Sequence, residues 1–193
     1  MRKLEERILK DGEVYPGEVL RVGSFLNQQI DTELVTEMGQ VIADKFKDEG
    51  ITKILTIETS GIALAFATAQ ALGVPMIFAK KHKSNNLDSV LISTKVFSYT
   101  HQSTYDVVVS REFIDSSDRI LIVDDFLAKG NAITGLMEIV ETADAELVGA
   151  AVAIEKGFQK GGDKLREMGI HLESLAIIDS MTDDSLTFRP QDD

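Results

Sequence analysis

The chain has 193 residues, 44% of them hydrophobic, and its 20 Lys and Arg stand against 32 Asp and Glu for a formal net charge of −12. That length and apolar content suit one folded domain with a real core, and the acidic balance disfavours nucleic acid and anionic membrane surfaces as partners. With no cysteine present, disulfides, thiolate zinc sites and cysteine nucleophiles are excluded.

Residues 1–10 read as a short charged helix, and neither this start nor any later apolar run resembles a secretory signal or the ~20-residue span of a membrane helix. A soluble, cytoplasmic protein is the expectation. Asp11-Gly12 and Tyr15-Pro16-Gly17 punctuate the chain after this helix, and Val19 to Phe25 suits a short strand or loop. Asp31 is a natural N-cap for a helix carrying Val35, Met38, Ile42 and Phe46 at helical spacing, closed by Gly50. Ile54 to Ile57 is a short apolar strand ending at Glu58-Thr59-Ser60-Gly61. Ile62 to Leu72 is apolar almost all round, as a buried helix is, and Met76 to Ala79 forms the next strand.

Residues 80–110 interrupt this rhythm. Lys80, Lys81, His82 and Lys83 make the densest basic patch, and Val90 to Tyr99 with Tyr105 to Ser110 suit a hairpin with a flexible tip. Ile120 to Val123 has the continuous apolar character of a strand buried on both faces. A helix bearing Ile133, Leu136, Val140 and Ala143 comes next, then a strand over Leu147 to Ile154. Gly161-Gly162 is expected to break the chain before a helix over Asp163 to Met168, with a last strand over Leu172 to Ile178 and an acidic tail. Strands alternating with helices from about residue 50 predict a mostly parallel, doubly wound α/β sheet, which binds ligands beyond the carboxyl ends of its strands.

The strongest chemical signal lies at such an end. Leu121-Ile-Val-Asp124-Asp125-Phe-Leu-Ala128-Lys129-Gly130-Asn131-Ala132-Ile-Thr134 carries two adjacent acids from an apolar strand into a short Gly-containing loop that opens a helix. Neighbouring side chains on extended backbone point to opposite sides, so the acids serve different groups. Backbone N–H groups and a helix N-terminus suit a phosphate, while carboxylates suit sugar hydroxyls. Neither the Walker loop nor the dinucleotide fingerprint is present. Two alternatives stand beside this: acids that merely keep a loop soluble, and an acidic metal pocket of the response-regulator type using Glu58 and Lys156. The apolar helix after Glu58 and the 80–110 insertion do not suit the second.

Val123-Asp-Asp-Phe-Leu-Ala-Lys-Gly130 resembles the motif of type I phosphoribosyltransferases that binds phosphoribosyl pyrophosphate (PRPP). Lys129, Asn131 and Ala132 stand where that family commonly has Thr and Gly. This variant is similar to that of the bacterial xanthine phosphoribosyltransferase subfamily, as are Ser24-Phe-Leu-Asn27-Gln-Gln-Ile-Asp31, Glu58-Thr-Ser-Gly-Ile62, Phe78-Ala-Lys-Lys-His-Lys-Ser84 and Ile154-Glu-Lys-Gly-Phe158. The resemblance implies a central mostly parallel sheet flanked by helices, with a hood built from residues 1–50, a core over 51–180 and a flexible hairpin lid over 80–110. It implies that Asp124 and Asp125 hold the ribose and that Ala128, Lys129, Gly130, Asn131 and Ala132 hold the 5′-phosphate. Thr59, Ser60 and Gly61, with Lys80 and Lys81, would take the pyrophosphate. Leu20, Asn27 and Lys156 would form the base pocket, with Phe158 either stacking on the purine or simply packing in the core. No tightly bound cofactor or protein-held metal is implied; Mg²⁺ would arrive with PRPP, and the enzyme would be a homodimer. A lysine ammonium is donor-only, so Lys156 suits a 6-oxopurine and not adenine. A guanine or hypoxanthine enzyme and a non-catalytic PRPP sensor are the other functional classes; the sensor usually needs a basic face and a second domain, neither of which is evident.

Overall fold

The computed structural model of the protein describes residues 1–81, 90–98 and 103–190. Its centre is a six-stranded sheet in the order β10-β9-β8-β7-β3-β4, formed by β3 (Lys53–Ile57), β4 (Met76–Ala79), β7 (Arg119–Leu127), β8 (Glu146–Lys156), β9 (Leu172–Met181) and β10 (Leu186–Phe188). All pairs are parallel except β9 with β10. The chain leaves β3 toward one edge and returns at β7 to build toward the other. The order therefore reverses between β3 and β7, and such a reversal opens a crevice at the carboxyl ends of the two strands.

Alternate residues of these strands feed two cores. Ile54, Leu121, Val123, Ala151 and Ala153 pack with α1 (Arg2–Asp11), α2 (Thr32–Phe46) and α3 (Ile62–Leu72). Leu55, Ile57, Ile120, Ile122, Ala150 and Val152 pack with α4 (Asn131–Thr142), α5 (Gly161–Glu167) and a hairpin of β5 (Leu91–Ser98) and β6 (Ser103–Ser110). The Asp31 side chain caps α2 by accepting from Leu34 N at 3.1 Å. Arg7 of α1 pairs with the same carboxylate at 2.7 Å and fastens the N-terminal helix to the body. A small hairpin, β1 (Glu13–Tyr15) with β2 (Val19–Arg21), and a π-helical turn over Gly23–Asn27 sit beside them, burying Leu20, Phe25 and Leu26.

Several sequence expectations need correction. The helix expected to begin after Gly161-Gly162 begins at Gly161. These glycines are close-approach residues: a Cβ at Gly161 would stand 2.2 Å from Ala128 O, and one at Gly162 would stand 2.1 Å from a Glu155 carboxylate oxygen. β7 runs four residues beyond Val123, so Asp124 and Asp125 lie within the strand, paired alongside β8. Asn131 and Ala132 form the first turn of α4, not loop. α3 is not buried all round, because Phe66 is 60% exposed. β9 extends past Ile178 to Met181, and the acidic tail contributes the antiparallel β10.

The 80–110 insertion is seated on the body by its described part. Lys80 and Val108 exchange backbone hydrogen bonds, each at 2.9 Å. Ile92, Val96, Val107 and Val109 are buried, and a Cβ at Gly135 of α4 would stand 2.4 Å from a Val96 methyl carbon. His82, Lys83, Ser84 and the expected hairpin tip at 99–102 lie outside the described residues.

Candidate active site

The two acids of β7 face different neighbours, as their extended backbone requires. Asp125 is reached from the turn over Gly23–Asn27 by Asn27 Nδ2 at 3.4 Å. Asp124 is 5% exposed, and its Oδ1 accepts from Asp125 N at 2.9 Å. Burial and then the charge of Asp125 push the Asp124 carboxyl well above the ordinary carboxylate range. Burial also raises Asp125, opposed first by the hydrogen bond from Asn27. Tyr105 of the hairpin feels the Asp124 charge, which adds to burial in raising its phenol.

Two helix N-termini flank this pair. Gly61 is the capping residue of α3 and Gly130 that of α4, and neither start has a side-chain cap. Their first N–H groups therefore have no carboxylate or hydroxyl oxygen from the chain's own capping residues, the condition in which a helix start serves an anion. Gly130 adopts φ +91°, a left-handed conformation that favours glycine and brings the chain sharply from β7 into α4. Gly161 N donates to Ala128 O at 3.1 Å, so α5 supports the loop from behind. Phe126, Leu127, Ala128, Lys129, Gly130, Asn131 and Ala132 line a cavity of about 170 Å³ with Val96, Phe97 and Tyr105 of the hairpin. Asn131 Nδ2 closes part of it by donating to Phe97 O at 2.9 Å.

On the β3 side, Glu58 accepts from Lys81 N at 2.6 Å, tying the ends of β3 and β4 together. Thr59 is exposed and Ser60 half-buried, while Gly61 packs against Asp124. The Lys81 ammonium lies 5.5 Å from the Tyr105 ring centre and exerts a lowering effect on the Asp124 carboxyl. Lys80 is exposed at the edge of the patch.

The third group of residues is gathered less completely. Leu20 and Asn27 share a cavity of about 760 Å³ with Asp11, Glu13, Gln28 and Gln29. Lys156, the last residue of β8, is not in its wall. Its ammonium donates to Glu18 O of the β1–β2 hairpin at 2.6 Å and stands 6.0 Å from the Phe126 ring centre. Burial lowers its pKa, against the raising effect of Glu18. Phe158 is half-buried against the core, whereas Phe126 and Tyr105 are, with Phe97, among the aromatics that line the cavity. Sequence reasoning gave neither of those two a role. Phe126 had a visible signal, since it directly follows the acid pair; Tyr105 had none, because only the hairpin's docking brings it near Asp124.

Residues 25–168 match the phosphoribosyl transferase domain family. The chain belongs to the phosphoribosyltransferase family. A xanthine phosphoribosyltransferase of Lachnoclostridium phytofermentans is 53% identical over 98% of this phosphoribosyltransferase and 98% of its own length. One from Bacillus cereus is 51% identical over 100% of this chain and 98% of its own. Among solved structures, the adenine phosphoribosyltransferase of Giardia lamblia superposes with a TM-score of 0.75 at 20% identity, covering 92% of this chain and 98% of that one. That of Rhodothermus marinus gives 0.74 at 21% identity over 92% and 100%. At such identities these structures establish the type I phosphoribosyltransferase fold and nothing about the base.

Proposed function

We infer that the protein transfers the 5-phosphoribosyl group of PRPP to xanthine, releasing pyrophosphate and forming xanthosine 5′-monophosphate. The observation that carries this is the pair of carboxylates on β7 standing between two uncapped helix starts. PRPP has the matching pattern, two ribose hydroxyls between a 5′-phosphate and a 1-pyrophosphate. On this reading Asp124 and Asp125 hold the hydroxyls, residues 128–132 take the 5′-phosphate, and Thr59 to Gly61 with Lys80 and Lys81 take the pyrophosphate. A purine nitrogen attacks C1 as the C1–oxygen bond to pyrophosphate breaks, the leaving electron pair stays on pyrophosphate, and the ring N–H proton of the base is released. The protein supplies alignment and charge stabilisation and needs no covalent nucleophile. Mg²⁺ would arrive with PRPP, held largely by substrate oxygens and water.

The 51–53% identity to xanthine phosphoribosyltransferases favours xanthine as the base. Lys156 can donate to O6, since its ammonium has three donors and the hood carbonyl takes one. Asn27 would read another polar edge, with Leu20 packing beneath. Lys156→Met should lower kcat/KM for xanthine by about 10- to 150-fold, the worth of one charge-assisted hydrogen bond. Steady-state nucleotide formation from PRPP with xanthine, guanine and hypoxanthine tests both the activity and the residue. Equal use of all three bases by Lys156→Met and wild type would remove Lys156 from the pocket.

The described hairpin covers the phosphate cavity, and we take it to close as a lid that keeps water from C1. Phe66 of α3 and Phe78 of the edge strand β4 are 60% and 42% exposed, which supports a homodimer with its second copy on this side. No described helix is long and apolar enough to cross a membrane. A cytoplasmic site of action is proposed from the intracellular supply of PRPP and purines that the reaction requires. One hydrogen-exchange experiment reads both structural proposals. Exchange in β5 and β6 should slow when nucleotide is added, and amides of α3 and β4 should lose protection on dilution. Unchanged rates in both regions would contradict the lid and the dimer.

A further inference from the structure

Thr56 lies on β3 among Ile54, Leu55 and Ile57, and it is fully buried. Its Oγ1 has no hydrogen-bond partner among the described residues. Thr68, also fully buried, shows the usual solution by donating to Leu64 O at 2.9 Å. A buried hydroxyl without a partner is destabilising, and valine has the same shape without that cost. Burial alone therefore gives no reason for threonine at this position.

The hydroxyl's location supplies one. A Cβ built at Gly61 would lie 2.4 Å from Thr56 Oγ1 and 2.6 Å from Asp124 Oδ1. Both oxygens thus crowd the point that glycine leaves open, at the mouth of the β3–β7 crevice. Thr56 and Gly61, from the β3 strand and the turn after it, meet Asp124 of β7 there. We propose that Thr56 is a positioning residue whose hydroxyl donates to Asp124 Oδ1 in the PRPP complex, fixing the carboxylate while its other oxygen meets the ribose. In the free enzyme, Oδ1 already accepts from Asp125 N and keeps a second lone pair for such a donor. Rotation of the Thr56 side chain about its Cα–Cβ bond would engage it. Gly61 is part of the same device, because any side chain there would separate the two oxygens.

This inference rests on the proposed ribose-holding role of Asp124, and the experiment separates the two. Wild type, Thr56→Val and Thr56→Ser are assayed with PRPP and xanthine, and their thermal unfolding is followed without ligand. Thr56→Val should unfold at or above the wild-type temperature, because it removes an unpaired buried hydroxyl. It should also lose roughly 10-fold in kcat, about one hydrogen bond to a charged group, with KM for xanthine little changed. Thr56→Ser keeps the hydroxyl and should restore most of kcat despite lower stability. A less stable Thr56→Val would mean that the hydroxyl is already paired in the free enzyme, which overturns the proposal. So would wild-type kcat in Thr56→Val, or equal losses in Val and Ser. If wild type itself forms no nucleotide, the proposed activity falls; if wild type is active and Thr56→Val matches it, only the positioning role falls.

Discussion

Replacing Asp124 and Asp125 together by asparagine is expected to cut turnover by about 10²- to 10⁴-fold, at roughly 1.5–3 kcal/mol for each lost charge-assisted hydrogen bond. The same change should stabilise the free protein at neutral pH. Burial, with the neighbouring charge of Asp125, raises the Asp124 carboxyl well above its ordinary value of 3.8. A carboxyl raised on folding holds its proton more tightly in the folded state. Its favourable contribution is complete below the unfolded pKa and is lost as pH rises through the folded one. At neutral pH the wild-type protein is therefore on the unfavourable side, and asparagine removes that dependence. The stability gap between mutant and wild type should widen as pH rises from about 4 toward 7. Kinetics with PRPP and xanthine, and urea unfolding across that range, provide the two measurements. Near-normal turnover in the double mutant would sink the ribose assignment, and a gap that does not change with pH would sink the electrostatic account.

A second large effect is expected away from the ligand. Glu155 is fully buried beside Lys156, and Arg166 of α5 meets both its oxygens at 3.1 and 2.8 Å. Ser174 adds a hydrogen bond at 2.5 Å. Arg166→Met leaves this carboxylate in the core with Ser174 alone. Loss of one partner from a buried pair typically costs about 3–5 kcal/mol, and partial exposure of Arg166 argues for about 3. Adding Glu155→Gln should recover part of the loss, since it removes the stranded charge. Urea unfolding of the single and double variants measures this. A loss below about 1 kcal/mol for Arg166→Met would place the pair with ordinary surface ion pairs.

The parallel sheet was legible because its inner strands are apolar on both faces, as in Ile120 to Val123, and because helical spacing separates them. The acid pair was legible because no apolar core explains two adjacent carboxylates at a strand end. The limits of β7 and α5 were not, since residues that resemble breakers are glycines placed for backbone contact. Gly161 and Gly162 stand where α5 meets the Ala128 loop and the Glu155 carboxylate. Asp124 and Asp125 look like the last residues of their strand, yet the ladder beside β8 continues past them to Leu127. Tyr105, Thr56 and the Glu155–Arg166 pair depend on long-range juxtaposition that local patterns do not encode.

Gly61 beside Asp124 and Gly161 behind the Ala128 loop each make a contact closer than any side chain would permit. The outline of the ligand chamber is thus defined partly by atoms the chain omits. A glycine codon becomes an alanine codon through one nucleotide change, so the mildest genetic accident at these positions already adds the offending carbon. The chamber is consequently most fragile to mutation where it presents no side chain, and selective pressure on such an enzyme would fall on its empty positions as heavily as on its carboxylates.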